Sequence, residues 1–211
     1  VVERNSIRFG FAAFTQHTNG IPLPQDKQEM ITYTDQTERM HQQIEQLEQT
    51  ADLTVVSVHW GEENSTTPTD YQRELAQQLT EWGADLIIGT HPHVLQPVEE
   101  ITSPNGNRAT VLYSLGNFIS AQADRANLVG AIAQIEVEKD PSTEKITVHP
   151  PQLQPVITCY QSGYAQLHLL PFCDYTGELG DQRGQPLSRD YIRQLVSSVV
   201  DPAFLAEGAL D

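Results

Sequence analysis

The sequence predicts an α/β (α+β) fold in which a parallel βαβ part is followed by antiparallel hairpins. DLTVVSVHWG (52–61) and ADLIIGTHPHV (84–94) are apolar runs separated by YQRELAQQLTEWG (71–83), which has helical periodicity. Strand, helix, strand at this spacing is a βαβ unit, hence a parallel sheet with a right-handed crossover. Beyond residue 98 the strands alternate with short polar turns instead. VEEIT, SPNGNR, ATVLYSLGN reads as a hairpin around an NG turn, and LVGAIAQIEVEKD, PSTE, KITVHPPQLQPV as another.

The remaining elements follow from local pattern. IRFGFAAFT (7–15) is an alternating, aromatic-rich strand that runs into HTNGIPLPQD, a loop marked by NG and two prolines. In DQTERMHQQIEQLEQT (35–50), Met40, Ile44 and Leu47 recur at helical spacing on a polar background, which predicts an amphipathic surface helix. The polar EENSTTPTDYQ supplies Thr69 or Asp70 as the cap of the next helix, and Gly83 closes it. GELGDQRGQPLSRD (177–190) reads as a loop and YIRQLVSSVVD (191–201) as a short closing helix. With no internal repeat and no clear linker, residues 1–211 form one domain.

Charge narrows the partners. The chain carries 28 acidic against 12 basic residues, a formal net charge of −16. Such a surface repels nucleic acid and anionic lipid, and a polyanion would need a bound cation to reverse the field locally. No run approaches the ~18 apolar residues of a membrane span. The opening VVERNSIRFGF heads at once into a strand, which reads as the interior of a longer protein. Cys159 and Cys173 lie 14 apart, suited either to one disulfide or to two thiols, and lack CxxC-type metal spacing.

In α/β sheets ligands sit just outside the carboxyl ends of parallel strands. VHWGEE (58–63) and GTHPHV (89–94) both place histidine there. Residues i and i+2 of an extended segment point the same way, and Pro92 pushes His91 toward an extended backbone. His91 and His93 are therefore expected to converge on a cation, with His59 approaching from the neighbouring strand. Neutral imidazole suits Zn, Mn or Fe-type divalent ions. His17, His41, His149 and His168 are assigned to packing or ordinary hydrogen bonding. Glu62 and Glu63 follow His59 directly; either is a ligand, a base, an outer orienting group or a solvated side chain. Trp60 is core or ligand platform. In YSLGNF (113–118), Gly116 marks a tight backbone position. Asn117 either aims its amide into the cleft or serves as a turn residue.

HWGEE (59–63), QRELAQQLTEWGADLIIGTHPHVLQPVE (72–99) and YSLGNF, in this order and spacing, resemble the bacterial capsule-synthesis CapA/PgsA family of poly-γ-glutamate synthesis accessory proteins. TNGIPLP (18–24) is similar to a segment of that family as well, and the resemblance covers roughly residues 7–135. It implies a calcineurin-like metallophosphoesterase fold: a β-sandwich flanked by helices, with a metal centre at the strand ends. It also implies metal-ligand roles for His59, His91 and His93; beside these, the residues themselves suggest catalytic roles for Glu63 and Asn117 and substrate contacts from Asn19, Trp60 and Glu62. The aspartate-bearing first-strand motif and the Asn-His motif of that superfamily have no counterpart in the 211 residues. The chain is thus expected to be the C-terminal part of a larger domain whose N-terminal part completes a binuclear centre. The implied function is capsule poly-γ-glutamate biosynthesis or processing, in contact with that anionic polymer or its synthesis complex. The implied location is the extracellular face of the membrane, anchored by an N-terminal segment. The alternative is a metal-dependent phosphoesterase or γ-amide hydrolase not dedicated to capsule synthesis.

Overall fold

The computed structural model describes residues 1–177 and 185–211. Half of the expected loop 177–190, residues 178–184, therefore lies outside the described residues. The first half supplies strands β1 (Val2–Arg4), β2 (Ile7–Thr15), β3 (Leu53–His59), β4 (Leu86–Thr90), β5 (Val98–Thr102) and β6 (Arg108–Leu112). Helix α1 (Thr37–Glu48) lies between β2 and β3, and α2 (Asp70–Trp82) between β3 and β4. The second half supplies β7 (Val129–Gln134), β8 (Val137–Lys139), β9 (Ile146–Val148), β10 (Gln152–Gln161), β11 (Ala165–Pro171) and α3 (Arg189–Val199).

The first six strands make one mixed sheet in the order β1-β2-β3-β4-β6-β5. Its central four strands are parallel, and each edge is an antiparallel addition. Alternation along each strand decides what covers each face. Val56, Val58, Ile87 and Val111 face Met40 and Ile44 of α1 and Leu75 and Leu79 of α2. Leu53, Val55, Leu86 and Leu112 face Val129, Leu153 and Ile157 of a second, three-stranded antiparallel sheet (β11-β10-β7), with Ile192 and Val196 of α3 in the same cluster. The α+β fold and the parallel-then-antiparallel division are as the sequence predicts.

Local chemistry sets the element ends. Thr69, rather than Asp70, caps α2: its hydroxyl accepts from the Gln72 amide, and the Gln72 side chain accepts in return from the Thr69 N–H. Gly83 ends that helix at φ +117°. The closing helix starts two residues earlier than expected, because Ser188 caps it through the Tyr191 N–H. The second hairpin is the larger departure. Its strands are each broken, so that β8 pairs with β9 while β7 pairs with β10 in a different sheet. Pro150 and Pro151 lack the N–H groups a continuous ladder needs, and they sit at the break between β9 and β10. Cys159 and Cys173 are free thiols, and burial pushes the Cys159 thiol up to about 11.

Candidate metal centre

The register of the parallel strands builds the site. Thr15 pairs with His59 and His59 with Thr90, so β2, β3 and β4 end at one level. His59 closes β3, His91 follows β4 by one residue, and His17 follows β2 by two. The rings gather there, with centroids 4.4 Å apart for His59–His91, 4.5 Å for His17–His91, 5.2 Å for His17–His59 and 5.8 Å for His91–His93.

Donor atoms of His17, His59 and His91 lie within 4.8 Å of one another, as do those of Glu63, His91 and His93. His91 belongs to both sets.

The turn carrying His91 and His93 is not extended. Both residues have positive φ, +100° and +61°, where side chains other than glycine are disfavoured. The contacts that hold them come from neighbouring loops. Asn64 donates its backbone N–H to the Pro92 carbonyl (2.8 Å), and the Asn127 amide donates to the His93 carbonyl (3.2 Å) and to Asn64 Oδ1 (2.7 Å). Strained backbone over-determined in this way is characteristic of functional sites. The expectation that Pro92 extends His91 is thus corrected: the two rings converge by a tight turn, not by strand alternation.

Hydrogen bonds fix which ring nitrogen is free. Thr15 Oγ1 donates to the His17 carbonyl (2.6 Å), which leaves it to accept from His59 Nδ1–H at 3.2 Å. Asn19 Oδ1 accepts from His17 Nδ1–H at 2.9 Å. Asn117 donates its NH2 to Gln122 Oε1 and the Asn127 carbonyl, and its Oδ1 accepts from His93 Nδ1–H at 2.9 Å. Three of the four rings are so held with the Nε2 lone pair unengaged, the arrangement that oxygen acceptors impose around metal-binding histidine. His91 Nδ1 is buried and has no hydrogen-bond partner among the described residues. Burial, then the charges of His59 and His17, drive the His91 pKa down to about 4. Burial, then His17 and His93, lowers that of His59. Both are neutral at pH 7, the form that binds metal, so the residues present fit a divalent ion of the Zn, Mn or Fe type.

The other predicted residues fall in distinct places. Glu63 is exposed at the rim, within reach of His91 and His93. Glu62 is exposed and belongs to neither donor set. Asn19 and Asn117 act through the histidines they hold. Replacing Asn117 with alanine is expected to weaken metal affinity about 10- to 100-fold, because His93 loses its orienting acceptor; titration with zinc and a thermal melt of the metal-free protein separate this from misfolding. Trp60 is corrected as a substrate contact: it is fully buried, stacks on Tyr113 at 5.8 Å, and donates its indole N–H to the Tyr113 carbonyl at 3.0 Å.

His17 is corrected in the opposite sense, from packing residue to member of the cluster. Its signal was available, since the strand-end test that found His59 and His91 applies equally to the end of β2. The remaining histidines stay outside: His41 stacks on Trp82, His149 approaches Glu138 Oε2, and His168 bonds the Gln166 carbonyl.

Fold and cluster together define an α+β protein with four histidines gathered at the carboxyl ends of its parallel strands. The chain belongs to the family described as bacterial capsule synthesis protein PGA_cap, whose pattern it matches over residues 1–122. It is 36% identical over 141 residues to the PGA biosynthesis protein CapA of Bacillus subtilis (strain 168), covering 67% of this chain and 32% of the relative. It is 38% identical over 104 residues to the capsule biosynthesis protein CapA of Bacillus anthracis, covering 49% of this chain and 24% of the relative. The chain therefore spans about a third or less of these curated relatives.

Proposed function

We propose that the protein serves capsule poly-γ-glutamate synthesis or processing, through a divalent-metal centre held by His17, His59, His91 and His93. The observation that carries the metal is the donor arrangement: three imidazoles fixed by oxygen acceptors around a fourth whose buried nitrogen is unpartnered. The capsule context is supported by the family and by the names of its relatives. A cation also answers the charge problem, because a chain of net charge −16 repels a polycarboxylate unless a positive centre meets it. When bound, the metal would supply a positive charge to clamp carboxylate or carbonyl oxygen and to acidify water.

The chain's own residues would do the rest. Asn19, Thr15 and Asn117 hold the rings in their metal-facing tautomers. Glu63 stands exposed beside His91 and His93, where it would accept a proton from water or orient it. This placement favours a second reading, a metal-dependent hydrolase of γ-amide or phosphoester bonds. Under either reading the protein works at the extracellular face of the membrane, and further ligands for a second ion come from a part of the domain outside these 211 residues.

The test is metal content after dialysis against zinc or manganese, followed by retention and cleavage assays on poly-γ-glutamate and on a generic phosphodiester. Stoichiometric metal with polymer retention supports the capsule role. Turnover of either substrate, dependent on metal and lost in Glu63→Gln, assigns the hydrolase. Failure to take up any divalent ion sinks the centre.

A further inference from the structure

A cavity of about 660 Å³ opens beside the cluster, between the loop after β2 and the first turn of α1. His17 and His59 form one end, and Phe14, Ile21, Met30 and Ile31 contribute apolar wall. Its size is within the usual range for small-molecule sites, roughly 300–1,000 Å³. Arg39 also lines it, and is its only Arg or Lys side chain among the described residues. The guanidinium is held by backbone carbonyls, donating to Glu29 O at 2.6 Å and Ile31 O at 3.4 Å, and to Gln36 Oε1 at 3.4 Å. These neutral oxygens fix its position without cancelling its charge. Arg8, Arg73, Arg108, Lys139 and Arg193 by contrast each pair with a carboxylate, and Arg125 and Arg189, which also donate to backbone carbonyls, do not line this cavity. In a protein with 28 acids and 12 bases, a half-buried arginine that lines a ligand-sized cavity and has no carboxylate partner among the described residues is suited to an anionic ligand.

We infer that Arg39 is a specificity-determining residue that binds a carboxylate of the substrate, placing an aliphatic segment along the cavity and a second oxygen group at the histidine centre. The inference rests on the metal-centre reading and adds to it the side chain that anchors the anionic end of the ligand. One planar guanidinium matches one monoanionic carboxylate by its fork of donors. A phosphate dianion fits worse, because Glu29 adds an acidic side chain to the same wall and no second arginine or lysine among the described residues joins it.

Calorimetric titration of the zinc-loaded and metal-free protein with linear dicarboxylates from glutarate to sebacate, their neutral diamides, and inorganic phosphate tests this. Wild-type protein is expected to prefer a dicarboxylate over its diamide. Arg39→Gln should weaken the dicarboxylate about tenfold or more and leave the diamide unchanged, with Arg39→Lys intermediate. Zinc stoichiometry and the melting temperature are read for each variant; should Arg39→Gln misfold, Arg39→Lys decides by the same comparison. Equal dicarboxylate affinity in wild type and variant overturns the inference, as does phosphate binding that exceeds dicarboxylate binding and depends on Arg39. Absence of zinc uptake with Arg39-dependent dicarboxylate binding intact sinks the metal centre and leaves the anchor standing.

Discussion

Substituting His91 with alanine is expected to abolish stoichiometric metal uptake while leaving the metal-free fold close to wild type in stability. His91 is common to both donor sets, so its loss removes a ligand whichever set is occupied. Its effect on the fold is small for a separate reason. Its buried Nδ1 makes no hydrogen bond, and an unpartnered buried polar atom costs about 1–3 kcal/mol. Removing the ring relieves that cost and offsets the cavity left behind. Thermal melts with and without zinc read both effects at once. Zinc at 100 times its dissociation constant should stabilise wild-type protein by about 2.7 kcal/mol and the variant by none. A variant that takes up zinc like the wild type would show that His91 is only a packed side chain.

The same residue sets a pH dependence with a definite sign. The His91 pKa falls from 6.5 to about 4 on folding, and that of His59 moves in the same direction. Between those pH values the unfolded chain binds more protons than the folded one, so stability rises with pH across that window. It is fully present above about pH 6.5 and drains as pH falls toward about 4. At about 1.36 kcal/mol per unit, His91 contributes at most about 3 kcal/mol of this slope. His91→Ala should flatten it, and bound metal should move the acid loss to lower pH.

How much of this was legible in the sequence depended on whether the determinant was local. The βαβ unit was legible because hydrophobic period changes between 2 and 3.6 along residues 52–90, and that pattern is the physical cause of the layers. His59, His91 and His93 were legible because chain direction fixes where parallel strands end. His17 was open to the same test, two residues past the end of β2, but the prolines and NG of its loop favour a reading as irregular structure. The orienting bonds from Thr15, Asn19 and Asn117 were beyond reach, because each depends on a side-chain rotamer set by residues elsewhere in the chain. For Asn117 the sequence leaves the cleft and a turn role open, and its Oδ1 meets His93 Nδ1 at 2.9 Å. Trp60 is a different kind of miss. Val56, Val58 and Trp60 recur with period 2, and all three belong to the helix-covered core. Alternation alone assigned the indole to that face, but the adjacent histidine invited a functional reading.

Gly89→Ala, a single added methyl two residues before His91, is expected to destabilise the protein by at least about 3 kcal/mol. A Cβ at Gly89 would lie 2.0 Å from the Tyr113 carbonyl oxygen and 2.3 Å from Trp60 Nε1. Those two atoms are the partners of a 3.0 Å hydrogen bond. The methyl therefore cannot enter without breaking the bond and displacing either the backbone after β6 or the largest fully buried side chain of the core. Overpacking alone costs about 1–3 kcal/mol, and an unsatisfied buried donor or acceptor adds about as much again. At about 2–4 °C per kcal/mol for a chain of this size, the melting temperature should fall by roughly 10 °C. Gly106→Ala is the comparison. That glycine has φ +92° but nothing within 4 Å of its added Cβ, so it isolates the conformational penalty, about 1 kcal/mol. Trp60→Phe in the Gly89→Ala background removes one clash and leaves the closer one, so recovery should be partial. Full recovery would place the strain in the indole alone; equal losses for Gly89→Ala and Gly106→Ala would show that close approach to Tyr113 is not what requires glycine there. The consequence for the site is direct, because the strand that Gly89 lets pack against Tyr113 is the one that delivers His91 to the level of His59. Zinc affinity is expected to fall with stability in Gly89→Ala, although the substituted residue is no ligand.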